Sequence, residues 1–323
     1  MTSNEGYYMK LKWIGFFSLV IIALFGYIYT LTLMPKNSSF FIMLILLGII
    51  IFEMIQEGRK EQLKTSPPMV WKDAVRSFIF VVIGVLIPYY MSAYLNIHVV
   101  IGSAFVGLLF HFIYKKYEVE VYCGSFAGMI SFLLIGPFEI LLVALITGII
   151  YVLAKPVWKG FGGKLGTIAF VGTISTLYLL NKPFLTPNIV INEVQLVLFA
   201  IGGVVITYVI QHHFKQTATL ASSSISLAVA LITQYILQLD PVYMTVLFAA
   251  SFVGMSDKDK ISNIFTAGLA GFIIGYMYIQ FAPHLNGAGG KLGTMAFLTT
   301  ICVHGINELI LLSKKNHVSK ERK

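Results

Sequence analysis

Charge is what this chain has least of. Only 11% of its 323 residues are Asp, Glu, Lys or Arg, against about 25% in an ordinary soluble domain. A charged, water-facing surface cannot be built from so few, which excludes a soluble globular protein. Cysteine is also scarce. Cys123 and Cys302 both sit within apolar segments without CxxC spacing, so no disulfide framework or thiolate metal site is expected, and both read as small packing residues. Long polar stretches are missing too. The longest ahead of the C-terminal tail runs from Gln56 to Arg76, too short for a soluble catalytic or nucleotide-binding domain.

Catalytic signatures are absent in turn. There is no HExxH and no GxSxG, and Leu165 and Leu292 stand where a P-loop needs Ser or Thr after its lysine. Glu118 and Glu120 are the nearest approach to paired carboxylates, and on a helix that spacing points them apart. The adjacent His212 and His213 have no further ligand to make a metal site. The chain is expected to be no enzyme and to need no cofactor or metal. Any active transport would draw on an ion gradient or a separate subunit.

What is present is apolar. Hydrophobic residues make up 57% of the chain, and the mean hydropathy is +0.83. Runs long enough to cross a bilayer, roughly 20 residues each, recur from end to end. The formal net charge of +9 therefore reads as loop charge facing anionic lipid and not as a nucleic-acid footprint.

One stretch occurs twice. Residues 162–173 read GGKLGTIAFVGT and residues 289–300 read GGKLGTMAFLTT, identical at nine of twelve positions. Upstream lies a second matched pair, SFAGM at 125–129 and SFVGM at 251–255. Ser125 to Ser251 spans 126 residues and Gly162 to Gly289 spans 127. Two motif pairs in the same order at nearly the same offset indicate an internal duplication.

Twelve apolar segments follow from the hydropathy: 13–34, 40–55, 77–95, 97–114, 120–135, 137–154, 164–180, 194–212, 218–237, 242–256, 262–282 and 291–312. The first is too long for a signal-peptide core and reads as a helix, not a removable leader. The chain divides into an N-terminal helix pair with its linker (1–68), repeat A (69–182), repeat B (183–312) and a basic tail (313–323). The expected fold is an all-α polytopic membrane protein, with an N-terminal pair and two five-helix repeats whose third members are short and Gly-interrupted.

If all twelve segments cross, 19 of the 23 basic residues fall on one side and three on the other, with Lys164 inside its motif. Keeping the third helix of each repeat as a re-entrant loop lowers the bias to 17 against five. The stronger bias puts both termini in the cytoplasm, most simply at a bacterial cytoplasmic membrane. Five crossings per repeat also turn the second copy upside down. This layout resembles secondary carriers built from two inverted five-helix repeats, a likeness of arrangement with no shared motif. Such repeats can exchange conformations, which is the structural basis of alternating access.

Two sets of candidate site residues follow. Ser125, Gly128, Ser251 and Gly254 interrupt the short apolar segments, and broken backbone must face protein or a watery cavity. Gly162, Gly163, Lys164, Gly166 and Thr167, with Gly289, Gly290, Lys291, Gly293 and Thr294, form glycine-hinged helix starts. A lysine beside free N–H donors makes an anion cradle. Equally, the glycines could serve tight packing and the lysines could snorkel to the interface. His304 and Glu308, spaced i, i+4, and Glu139 are candidates for ion coupling. Glu53, His98 and His111 read as interface residues, and Asp257–Lys260 as a solvated turn. The function that follows is secondary transport of a small, anionic molecule or ion. A channel-like facilitator and a lipid-handling or scaffolding protein are the alternatives, and the bilayer is the expected partner.

Overall fold

The computed structural model describes residues 3–64, 69–186 and 192–321. Among them the chain forms twelve α-helices and no strand beyond one isolated bridge, Leu185 to Asn286. In order they are α1 (Ser3–Leu33), α2 (Ser38–Leu63), α3 (Trp71–Leu95), α4 (Val99–Ile113), α5 (Glu118–Ala127) and α6 (Ile140–Ala154). There follow α7 (Lys164–Leu179), α8 (Glu193–His212), α9 (Ala218–Leu231), α10 (Pro241–Gly254), α11 (Ile264–Phe281) and α12 (Lys291–Glu321). A π-helical turn, Ile232–Ile236, extends α9.

Side-chain caps set several of the starts. Asn37, Asn192, Thr217, Asp240 and Asn263 each accept a backbone N–H of the first turn, and Pro241 follows Asp240 where its missing N–H costs nothing. Asn96, at φ 53°, closes α3 in the left-handed conformation.

Seven helices are long and apolar enough to cross a bilayer: α1, α2, α3, α8, α9 with its π turn, α11 and α12. The remaining five are shorter. Sixteen residues rise only about 24 Å, less than the ~30 Å of hydrocarbon. The segment expected at 120–135 is helical only to Ala127, and that expected at 242–256 ends at Gly254. Four boundaries run further than hydropathy suggests, among them the starts of α1 at Ser3 and of α3 at Trp71. Helix α2 continues through polar Gln56–Leu63, which had read as linker, and α12 runs on through the tail to Glu321. Pro67-Pro68, the linker's punctuation, lies outside the described residues.

The packing pairs up. Helix α3 lies against α5 and α6, and α8 lies against α10 and α11. Helix α4 meets α9, α7 meets α12, α1 covers α6 and α7, and α2 packs on α12. The buried core is continuous, running from Leu19 and Tyr27 of α1 to Phe297 and Ile301 of α12.

Candidate functional site

The two copies of GGKLGT meet each other. Gly163 (φ 80°) and Gly290 (φ 82°) turn the chain into α7 and α12 in the left-handed region. A Cβ on Gly163 would collide with the Gly293 carbonyl and the Phe297 nitrogen. One on Gly290 would strike the Gly166 carbonyl and the Phe170 nitrogen. Between them, a Cβ on either Gly166 or Gly293 would stand 2.5 Å from the other's Cα. The contact is reciprocal, the form that two copies of one surface make across a two-fold axis.

The leading glycines reach the SFxGM helices. Gly162 rests on the carbonyls of Phe252 and Val253 at the end of α10, and its N–H donates to Ser256 Oγ at 3.1 Å. Gly289 rests on the carbonyls of Phe126 and Ala127 at the end of α5, and Thr173 Oγ1 donates to the Gly289 carbonyl at 2.7 Å. Thr167 and Thr294 are buried and donate within their own first turns, to the carbonyls of Gly163 and Gly290.

Each lysine reaches back to the helix before it. Lys164 Nζ donates to the Lys155 carbonyl at 3.1 Å, at the C-terminus of α6. Lys291 Nζ donates to the carbonyls of Ala282 and His284 and to Asn286 Oδ1 at 3.0 Å, at the C-terminus of α11. An ammonium that is unfavourable at one helix's N-terminus thus sits at the negative end of another. The donors of Lys291 are fully used, and Lys164 has spare ones.

Two cavities lie against these motifs. The larger, about 420 Å³, is lined by Asn96, His98, Thr245, Tyr278, Asn286 and Lys291, among others. The smaller, about 270 Å³, is lined by Val119, Lys159, Lys164, Thr219 and Asp257. The first collects the α3–α4, α5–α6 and α11–α12 connections, with Thr245 of α10, and the second collects helix ends from α4–α5, α6–α7, α8–α9 and α10–α11. Phe126 and Phe252 line both. Their rings stand 4.5 Å apart, flanked by Tyr122 at 4.4 Å from Phe126 and by Phe248 at 4.5 Å from Phe252. All four are buried. They form an aromatic plug between the two spaces.

Ser125 and Ser251 lie behind the plug and off the cavity walls. Ser125 shares a 2.7 Å hydrogen bond with Ser103 of α4, and Ser251 shares one of 2.7 Å with Ser222 of α9. Tyr122 OH joins the two sets through Ser222 at 2.9 Å. Gly128 and Gly254 close α5 and α10 onto the backbones of α3 and α8, at the carbonyls of Val85 and Val204.

The titratable candidates separate. Glu139, in the turn before α6, accepts the Gly136 N–H at 2.6 Å and pairs with Lys182 at 3.2 Å. That backbone donor, and then the lysine, hold its carboxyl below the usual range. Asp257, in the α10–α11 linker, is pushed the other way by burial and then by Asp259. Lys260 is buried, unlike a solvated turn, with Nζ 4.4 Å from the Phe161 ring centre.

His304 is 5% exposed and is held at 2.8 Å by Glu53 of α2, itself fully buried; Glu308 lies 4.0 Å from its other ring nitrogen. His111 pairs with Glu118 at 2.6 Å, and Glu120 with Lys155 at 2.9 Å. Sequence reasoning missed Phe126 and Phe252 and took Glu53 for an interface residue, whereas it is fully buried against His304. The phenylalanines stand second in each SFxGM motif, and Glu53, Glu57 and Glu61 share i, i+4 spacing on one helix face, so both signals were present. The chain matches no family model, no curated protein and no solved structure.

Proposed function

We propose that this protein is a secondary transporter of a small anionic solute, working by alternating access of two inverted five-helix repeats. One observation carries the reading. Two cavities of different size, each walled by one GGK motif, are separated by a plug that both SFxGM motifs supply. A unit that stands in two conformations gives two unequal cavities, and exchange of those conformations would close one as it opens the other. The basic-residue bias assigns the smaller cavity, with Lys159 and Lys164, to the cytoplasm.

Anion preference rests on the cavity charges. Lys291 reaches the larger cavity, Lys159 and Lys164 the smaller, and Asp257 is the one carboxylate among these lining residues. The buried, tightly packed phenylalanines argue for a carrier over a facilitator with a fixed pore. A lipid-handling role has an observation of its own: an apolar groove of about 510 Å³ walled by Leu11, Trp71, Phe78 and Leu153.

The test is reconstitution. Proteoliposomes should take up one or more members of a panel of small anions with saturable kinetics and counterflow, and K164M/K291M should abolish that uptake in folded protein. Saturation without counterflow, or unchanged flux in the double variant, would remove the carrier or the lysines respectively. Scrambling of labelled lipid with no anion flux would move the assignment to the groove.

A further inference from the structure

Helix α2 carries Glu53, Glu57 and Glu61 on one face, all at most 2% exposed. Four lysines stand around them. Lys12 of α1 pairs with Glu61 at 3.2 Å, and Lys64 reaches Glu57 and Glu61 at 3.2 and 3.1 Å. Lys260, from the α10–α11 linker, lies 3.9 Å from Glu57, with the exposed Asp259 on its solvent side. Lys60 lies between Glu53 and Glu308, at 3.9 and 3.8 Å. Exposed Asp259 apart, these four carboxylates and four ammoniums balance when His304 is neutral. No net negative charge is left to hold a metal cation.

The cluster is still incomplete. Glu53 Oε2 and Glu57 Oε2 are buried without a hydrogen-bond partner. A carboxylate oxygen deprived of both water and a donor is costly, and protonation relieves that cost. Glu53 Oε1 meets His304 Nδ1 at 2.8 Å, and His304 Nε2 faces Glu308, which is 36% exposed, at 4.0 Å. An imidazole between a buried and an exposed carboxylate can accept a proton at one nitrogen and release one from the other. The gap to Glu308 is one that a side-chain rotation or a bridging water spans. Gly305 brings α12 onto Ile49 and Glu53 of α2, so the pair is clamped in place. The His304 ring also packs 5.6 Å from Phe161, a wall of the smaller cavity.

We infer that Glu53 and His304 form a single proton-binding site, loaded through Glu308, and that its proton drives the transport cycle. The coupling half rests on the carrier reading above; the binding half does not. Lys60 of α2, Glu57 of α2, Lys260 of the α10–α11 linker and Glu308 of α12 are the other charges facing the site.

Two measurements separate the halves. With 15N-histidine protein in liposomes, the ring resonances of His304, assigned by their loss in H304Q, should move with pH as the site takes up its proton. E53Q should weaken proton binding at least tenfold, because it removes the facing negative charge. K60M, at a half-exposed position that tolerates change, should strengthen it severalfold. Glu308→Gln should weaken it by less than E53Q does, Glu308 being the more exposed and more distant carboxylate, and should slow ring-proton exchange about tenfold. A His304 whose resonances do not respond to pH, or whose response ignores both E53Q and K60M, overturns the site.

The second measurement uses a pH dye inside proteoliposomes offered chloride, sulfate, phosphate, acetate, succinate or citrate. Anion entry should acidify the lumen, and H304Q should keep counterflow while losing acidification. Unchanged acidification in H304Q overturns coupling. If wild type moves none of these anions, coupling falls with the carrier reading, while the titration still decides the site.

Discussion

Where α7 crosses α12 there is room for a hydrogen atom and nothing larger. Gly166 and Gly293 face each other so closely that a methyl on either would sit 2.5 Å from the opposing backbone, and backbone cannot rotate aside as a side chain can. Gly166→Ala and Gly293→Ala should each lower unfolding stability by about 1–3 kcal/mol, the usual cost of overpacking a filled contact. Gly163→Ala and Gly290→Ala should cost more, since the left-handed backbone adds about 1–2 kcal/mol for a residue with a Cβ. Melting of the four variants in one detergent checks the order; four equal melting points would show that the crossing is loose. Glu139 makes a different kind of prediction. Its carboxyl is held below the usual range by the Gly136 N–H and then by Lys182, so its contribution is full above the unfolded pKa and lost as pH falls through the folded one. Wild type should lose more stability than Glu139→Gln between about pH 5 and pH 3, by a small margin because the pair is one-third exposed.

Helices here end on each other's lysines. Lys291 makes three hydrogen bonds at the end of α11, whereas Lys164 makes one at the end of α6. A cation at a helix C-terminus contributes about 0.3–2 kcal/mol according to burial, so Lys291→Met should destabilise by more than Lys164→Met. Equal losses in thermal melting would mean the bond count does not set the contribution. This back-reaching role was not legible in the sequence. The motif shows a lysine at a helix start, but the carbonyls it meets come from a helix end nine residues earlier, and only the intervening turn's path brings them within reach. The motif's glycines were easier to read, since a pair of glycines ahead of a helix signals either positive φ or close approach, and here both occur. Helix α2 was underestimated for the opposite reason. Hydropathy ended it at Ile55, but Glu57 and Glu61 are buried by pairing with lysines, which no hydropathy scale records. At α5 the apolar run continues past Ala127 while the helix stops, because the chain after it packs as irregular backbone against protein, with Ser131 N–H donating to the Gly287 carbonyl.

The molecule as a whole is organised by reciprocity: α3 on α5 and α6 as α8 on α10 and α11, α4 on α9, and α7 on α12. The two matched motif pairs could be read from the sequence, but the plug could not, because Phe126 and Phe252 look like two more apolar residues until the fold brings them ring to ring. Whether the reciprocal halves stand head to tail in the bilayer is decided by sidedness. Inverted repeats require the two cavities to open to opposite faces; parallel repeats would open both to one. Lys159 lines the smaller cavity and Asn286 the larger, and neither belongs to the glycine crossing; Asn286→Cys gives up the bond to the Ala282 carbonyl and one of the three bonds at Lys291, leaving the other two in place. Cys123 and Cys302 are fully buried and should give little background. In sealed right-side-out vesicles, a membrane-impermeant maleimide should label Asn286→Cys and spare Lys159→Cys, with the pattern reversed in inside-out vesicles. Labelling of both from one face would make the repeats parallel and remove the basis for alternating access. Opposite labelling leads to a further expectation. If the aromatic plug is what keeps the two spaces apart, combining Phe126→Ala with Phe252→Ala should let reagent added on one side reach both cysteines and turn saturable anion uptake into a linear leak. A double variant that stays sealed would place the barrier elsewhere, with the Gly166–Gly293 crossing the next structure to test.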